Sequence, residues 1–159
     1  MTEYDAFVTN SGDVVYRQAV VSDAPGMARL SAQLGYPAGE NRLAERLGHI
    51  LALPDHVILT AEYDGEVIGW IHAHARCLLE SEPFAEIAGL IVDRKFRGQG
   101  IGRSLVKRCG EWTSSAALGR LRVRMNVNRQ DTVSFYEQMG FEPVKTQRVF
   151  DKSIRPRLK

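Results

Sequence analysis

The segment RKFRGQGIGRSL, Arg94 to Leu105, places glycines at 98, 100 and 102, directly after an apolar run of strand length and directly before an amphipathic helical stripe. No other feature limits the fold as much. A strand must end there, the backbone must turn without side chains, and a helix must begin at once. Glycine permits the left-handed turn, and the N–H groups of the helix start, with Arg97 and Arg103 beside them, make the turn attractive to an anion, most simply a phosphate. Two familiar phosphate loops do not fit. GxxxxGK[ST] fails because Gly98 to Gly102 is one residue too short and Arg103-Ser104 replaces the Lys-Ser/Thr pair. GxGxxG fails because Arg103 or Leu105 stands where the third glycine belongs, and Arg120-Leu121-Arg122 stands where an acid is required.

Around this turn the pattern predicts an alternating order of elements. Val14–Val20 reads as a strand, and Ser22 offers an N-cap for a helix carrying Met27, Leu30 and Leu34 and ending near Gly35. Leu43, Leu47, Ile50 and Leu51 mark a second helix that stops before Pro54. Two strands meet through Asp64-Gly65, and Ala85–Asp93 forms the next strand, where Gly89 fits a bulge or a close backbone approach. Ile101, Leu105, Val106, Cys109 and Trp112 form the stripe behind the turn, and Arg120, Arg122 and Arg124 alternate with apolar residues on a strand with one solvated face. Asp131 is placed to cap a short helix reaching Met139 and Gly140, followed by strands around Phe141–Val144 and Arg148–Phe150. The expected fold is α/β (α+β): a mixed sheet of about seven strands with helices on both faces.

At 159 residues the chain suits one domain over 1–159, with a basic tail over 151–159. A net charge of +2 is too small to imply a nucleic-acid partner. Cys77 and Cys109 make neither a disulfide framework nor a CxxC metal pair, as expected in a reducing cytoplasm. The polar start MTEYDAFVTN does not read as a signal peptide, and no apolar run nears the about 18 residues of a membrane span.

LIVDRKFRGQGIGRSLV resembles the acetyl-CoA signature of the GNAT superfamily of N-acetyltransferases, [RQ]-x-x-G-x-[GA], filled by Arg97, Gly100 and Gly102. NRQDTVSFYEQMGF resembles the family's second motif, a short helix with a Phe-Tyr pair ending in Gly-Phe. Two motifs in strand–helix–strand–helix order carry far more weight than one glycine loop. Two positions depart from the pattern: Arg94 stands where a proline is common, and Arg129 where an asparagine is common, with Asn128 one residue earlier.

The resemblance implies a sheet splayed between its fourth and fifth strands, and acetyl-CoA as co-substrate. It implies that Arg97, Gly98, Gln99, Gly100, Ile101, Gly102, Arg103 and Ser104 hold the pyrophosphate. The backbone of Leu90, Ile91 and Val92 would pair with the pantetheine arm, and Asn128 would take the place of the usual asparagine. Glu86, eleven residues before Arg97, matches the glutamate base of one branch, and burial is expected to raise its pKa toward neutrality. Tyr136 matches the general acid that protonates the leaving thiolate. The reaction expected is direct acetyl transfer to a primary amine of a small molecule, with a protein acceptor or a CoA-binding regulatory module as alternatives. A homodimer is compatible with the resemblance; nucleic-acid and membrane partners are not expected.

Other residues carry weaker signals. His72 and His74 alternate on one strand, and with no third ligand at suitable spacing no metal is expected. Glu80 and Glu82 could steer a cationic amine, but they read more readily as solvated loop charges. Cys109 belongs to the apolar stripe and reads as core.

Overall fold

A computed structural model of the chain describes residues 14–155. The polar N-terminal stretch and the last four residues of the basic tail lie outside this range. The chain falls into two compact units, one ending at Arg124 and the other beginning at Met125.

The first unit contains β1 (Val14–Gln18), α1 (Ala24–Gln33), α2 (Glu40–Leu51), β2 (His56–Tyr63), β3 (Glu66–Leu78), β4 (Ser81–Val92), α3 (Ile101–Ser115) and β5 (Leu121–Val123). The strands form one sheet in sequence order, antiparallel throughout except for the parallel pair β4–β5. The β2–β3 hairpin turns on Asp64 and Gly65, both at positive φ (50° and 77°), which matches the right-handed twist of the strands it joins. The entry to α1 differs from expectation. Ser22 lies inside a short 3-10 turn, and Asp23 receives the Val20 N–H (2.8 Å) and a bidentate Arg17 (2.8 Å to each oxygen). A carboxylate satisfies both donors at once, which a hydroxyl does not.

Helices cover both faces of the sheet. On one face Met27 and Leu30 of α1 and Leu47 of α2 pack with Ile58, Val67 and Ile91, and Trp70 borders the cluster. On the other lies α3: a side chain at Gly69 would come within 3.5 Å of Leu105 and Ile101. Cys109 is fully buried in the same helix, and burial pushes its thiol up to about 12, so it serves as core.

β4 contains a bulge. His72 pairs with Gly89 and Ala73 with Ile87, leaving Ala88 without a partner on β3. The hydrogen bonds record the change of phase. Ala85 N–H points toward β5, donating to Arg120 O (2.9 Å), whereas Asp93 N–H points toward β3, donating to Ile68 O (2.8 Å). These residues are eight apart and would face the same way in a regular strand. The extra residue reverses the alternation, so Phe84, Glu86, Gly89 and Ile91 share a face. Gly89 itself is kept small by Trp70, whose ring atoms would lie 3.0 and 3.1 Å from a β-carbon there.

The second unit contains α4 (Gln130–Gln138), which ends through Met139 into Gly140 at φ 88°. Asp131 sits in the first turn of α4 and makes no cap hydrogen bond; Arg129 occupies the cap position. The strands expected at Phe141–Val144 and Arg148–Phe150 do not form, so the described residues hold five strands and not about seven. Val144, Val149 and Phe150 are all exposed, and their apolar surface gains no burial to offset the entropy of ordering the backbone.

Candidate functional site

The glycine turn is anchored at its entrance by Asp93. This buried carboxylate accepts Lys95 N–H (3.1 Å) and, from α1, Arg29 Nη1 (2.9 Å) and Gln33 Nε2 (3.4 Å). Burial alone would raise its pKa, but the Arg29 guanidinium and the Lys95 N–H outweigh that and hold it below the usual carboxylate range. Next to it, Arg94 N–H donates to Gln33 Oε1 (3.2 Å), and the Arg94 guanidinium donates to the Gln33 carbonyl (2.9 Å). A proline here would lack the first of these donors.

Gly98 and Gly100 then adopt left-handed backbone, φ 76° and 82°, and Ile101 opens α3. Among the described residues, apart from its chain neighbours, nothing lies within 4 Å of a β-carbon at either glycine, so handedness rather than crowding demands glycine. Gly102 is an ordinary helical residue of the first turn. The first intrahelical bond runs from Ser104 N–H to Gly100 O (3.0 Å), and no side chain caps the helix. The N–H groups of Ile101, Gly102 and Arg103 thus precede any i−4 acceptor. Gln99 and Arg103 are exposed, whereas the Arg97 side chain folds back to donate to Val92 O (3.1 Å).

β5 pairs with β4 only across Ala85–Ile87, and β4 continues to Val92. Beyond the bulge, the reversed alternation turns the N–H and C=O of Leu90 and Val92 toward the side that β5 has left, while Ile91 faces β3 and points its side chain into the core. Among the described residues no strand pairs with that edge. An open backbone edge therefore leads into an uncapped helix start: a row of N–H and C=O groups, then a concentration of N–H groups.

Glu86 lies just before the bulge, buried, on the face shared with His74. Arg124 Nε donates to its Oε1 (2.6 Å) and Arg76 Nη1 to its Oε2 (3.1 Å), and His74 Nε2 stands 3.9 Å from the same Oε2. Burial pushes its pKa up, as expected, but the hydrogen bonds and charges of Arg124 and Arg76 prevail and hold the carboxyl below its ordinary value. The expected rise toward neutrality is therefore corrected: Glu86 is ionised at pH 7. Beside it, the His56 imidazole stacks on those of His72 and His74 with centroids 5.2 and 5.1 Å apart, His72 and His74 are tilted to one another at 6.1 Å, and His56 Nδ1 and His72 Nε2 are hydrogen-bonded at 2.9 Å. Burial lowers His72 to about 4, with the other two imidazoles adding to the effect. His56 and Arg76 do not stand out in the sequence, and Arg124 reads there only as part of a solvated strand face. Only the register His56–His74–Glu86–Arg122, read across four strands, brings this group together.

In the second unit, Tyr136 is buried within α4 between the rings of Phe135 and Phe141, at 5.0 and 5.2 Å. Asn128 is exposed, and its N–H donates to Asn126 Oδ1 (3.0 Å) in the turn before α4. The structure thus gathers Glu86, Leu90–Val92 and Arg97–Ser104 along β4 and its exit. Tyr136 and Asn128 belong to the other unit.

Comparison with known proteins bears on the family and the fold. The model of the acetyltransferase (GNAT) family matches residues 27–141. The chain is 28% identical over 144 residues to an aminoglycoside N(6')-acetyltransferase type 1 of Stenotrophomonas maltophilia, covering 88% of this chain and 94% of that one. It is 25% identical over 140 residues to the uncharacterized N-acetyltransferase YjgM of Escherichia coli, covering 82% of this chain and 83% of that one. Among solved structures, aminoglycoside N-acetyltransferase AAC(6')-Iy in complex with CoA superposes with a TM-score of 0.80 at 18% identity, covering 92% of this chain and 99% of that one. AAC(6')-Ih of Acinetobacter baumannii gives 0.77 at 19%, covering 89% and 99%.

Proposed function

Since the chain belongs to the GNAT acetyltransferase family, we propose that it moves the acetyl group of acetyl-CoA to a primary amine of a small molecule, by direct attack in a ternary complex. The observation that carries this reading is the edge of β4 at Leu90 and Val92, beside which no strand of the described residues lies, running into the left-handed pair Gly98 and Gly100. It offers backbone donors and acceptors to an amide-bearing arm and then a cluster of N–H groups to a diphosphate. The small-molecule acceptor is supported by the aminoglycoside acetyltransferase to which the chain is similar along most of its length.

When bound, acetyl-CoA supplies an activated acetyl thioester. The chain's own groups do the rest. Residues Arg97 to Arg103 hold the phosphates through main-chain N–H groups, with the Arg103 side chain adding positive charge and Ser104 contributing its hydroxyl. The Leu90 N–H, aimed away from β3 next to the bulge, is the donor for negative charge developing on the acetyl oxygen. Glu86 faces the acceptor. A primary ammonium with a pKa near about 10 must lose a proton before it attacks. The ionised Glu86 orients that ammonium and passes its proton on, with the His74 imidazole beside it as a further acceptor. Tyr136 acts as the acid toward the leaving sulfur, and Asn128 contributes to holding the arm.

The test is acetyl-CoA-dependent thiol release across a panel of amines, with Glu86→Gln as the control. That variant is expected to lose roughly 100-fold in kcat at pH 7 while keeping its affinity for acetyl-CoA. Unchanged turnover would remove Glu86 from the chemistry. Tight acetyl-CoA binding with no thiol release from any amine would make the chain a CoA-binding module.

A further inference from the structure

We infer that Arg120 and Arg122, laid over Phe84 on the sheet face that carries Glu86, form an anion subsite, and that the acceptor is an amine bearing a second, acidic group. The inference rests on the small-molecule acceptor reading above and adds the chemical class of the substrate.

Phe84 is almost wholly buried near the start of β4, yet much of what surrounds its ring is charged. The guanidinium carbons of Arg120 and Arg122 each lie 4.6 Å from its centroid, and that of Arg76 lies 5.9 Å away. Two residues further along the same face, Glu86 takes Arg76 and Arg124. Four guanidiniums thus lie along the stretch of face from Phe84 to Glu86, and its one buried carboxylate is committed to two of them, Arg76 and Arg124. Arg120 and Arg122 have no carboxylate partner among the described residues, and Arg120 is exposed. Glu80 in the β3–β4 turn and Glu82 just beyond it are exposed and form no ion pair with these guanidiniums among the described residues. The imidazoles do not offset the charge, and burial keeps His72 neutral.

A guanidinium resting on an aromatic face keeps its in-plane N–H donors directed outward, already oriented for a carboxylate, phosphate or phosphonate. Two such groups on one ring, without an internal anion, suit an oxyanion with several acceptor oxygens. Phe84 and Glu86 are two residues apart on one strand, a separation of about 7 Å. An amine held at Glu86 would therefore place an acidic group a few carbons away over Arg120 and Arg122. A multiply charged amine would instead bring further ammonium groups against the guanidiniums.

The test compares matched acceptors with the full chain and acetyl-CoA: short ω-amino acids, their carboxamides, and diamines of the same length. The acids are expected to exceed both other series by roughly tenfold or more in kcat/KM, the range of a charge-assisted hydrogen bond. The double variant Arg120→Gln/Arg122→Gln should raise KM for the acids alone and leave carboxamide turnover unchanged, which also shows that the variant is folded. Carboxamides or diamines turned over as well as the acids, or a double variant that slows all three series equally, would overturn the subsite and leave the acetyltransferase reading intact. No transfer to any amine would overturn both.

Discussion

Gln33, the last residue of α1, and Arg94, the second residue beyond β4, hold one another twice. The glutamine side chain accepts the arginine N–H at 3.2 Å, and the glutamine carbonyl accepts the guanidinium at 2.9 Å. The carbonyl is one that the helix end leaves without a partner. Arg29 and Gln33 also reach Asp93, so the helix that covers one sheet face is tied to the start of the glycine turn.

Gln33→Ala tests that tie. Losing the side-chain bonds is expected to raise KM for acetyl-CoA about two- to tenfold, the effect of about 0.5–1.5 kcal/mol, with kcat nearly constant. Steady-state kinetics separate the two. A fall in kcat alone would show that the tie does not act on the glycine turn.

Gly100→Ala should be more severe. Its backbone is left-handed at φ 82°, a conformation that costs a residue with a β-carbon about 1–2 kcal/mol. The turn must either carry that strain or redirect its N–H groups. Urea denaturation should show the loss of stability and calorimetric titration a weaker affinity for CoA. Gly102→Ala, in ordinary helical backbone, should keep its stability and serves as the comparison.

The pH dependence follows from three depressed carboxylates, Asp23, Glu86 and Asp93. Each has a folded pKa below its unfolded value. The stability they contribute is complete above the unfolded values, near about 4, and is lost as pH falls through the folded ones. Denaturation midpoints should hold steady from pH 7 to 5 and drop below about pH 4. Asp93→Asn should be less stable at pH 7 and show a shallower acid decline.

The rate profile offers an independent reading of Glu86. With Arg124 and Arg76 holding its carboxyl down, the acid limb of kcat assigned to Glu86 should lie below the ordinary glutamate range. Arg124→Ala removes the 2.6 Å bond and should move that limb upward. An unmoved limb would assign it to another group.

What could be read from the chain before its structure was local. The Asp64-Gly65 hairpin, the stripe of α3 and the glycine turn each depend on residues within a few positions of one another. The state of Glu86 was not local. Its pKa depends on Arg76 across a hairpin and on Arg124, 38 residues away, brought together by sheet register alone. The Asp93–Gln33–Arg94 tie was hidden for the same reason. The last two strands show the converse: Val144, Val149 and Phe150 have strand character, but local preference orders nothing without burial.

The unpartnered Ala88 has a practical bearing on anyone who scans β4 by mutation. Between Phe84 and Ala88, even-numbered side chains share the aspect of Glu86; downstream, odd-numbered ones do. A single odd–even rule applied from Phe84 to Val92 would sort Gly89 and Ile91 with the wrong companions. Deleting Ala88 would force a choice between seating Ile91 beneath the first helices and presenting Glu86 beside His74, because one uninterrupted pleat cannot do both.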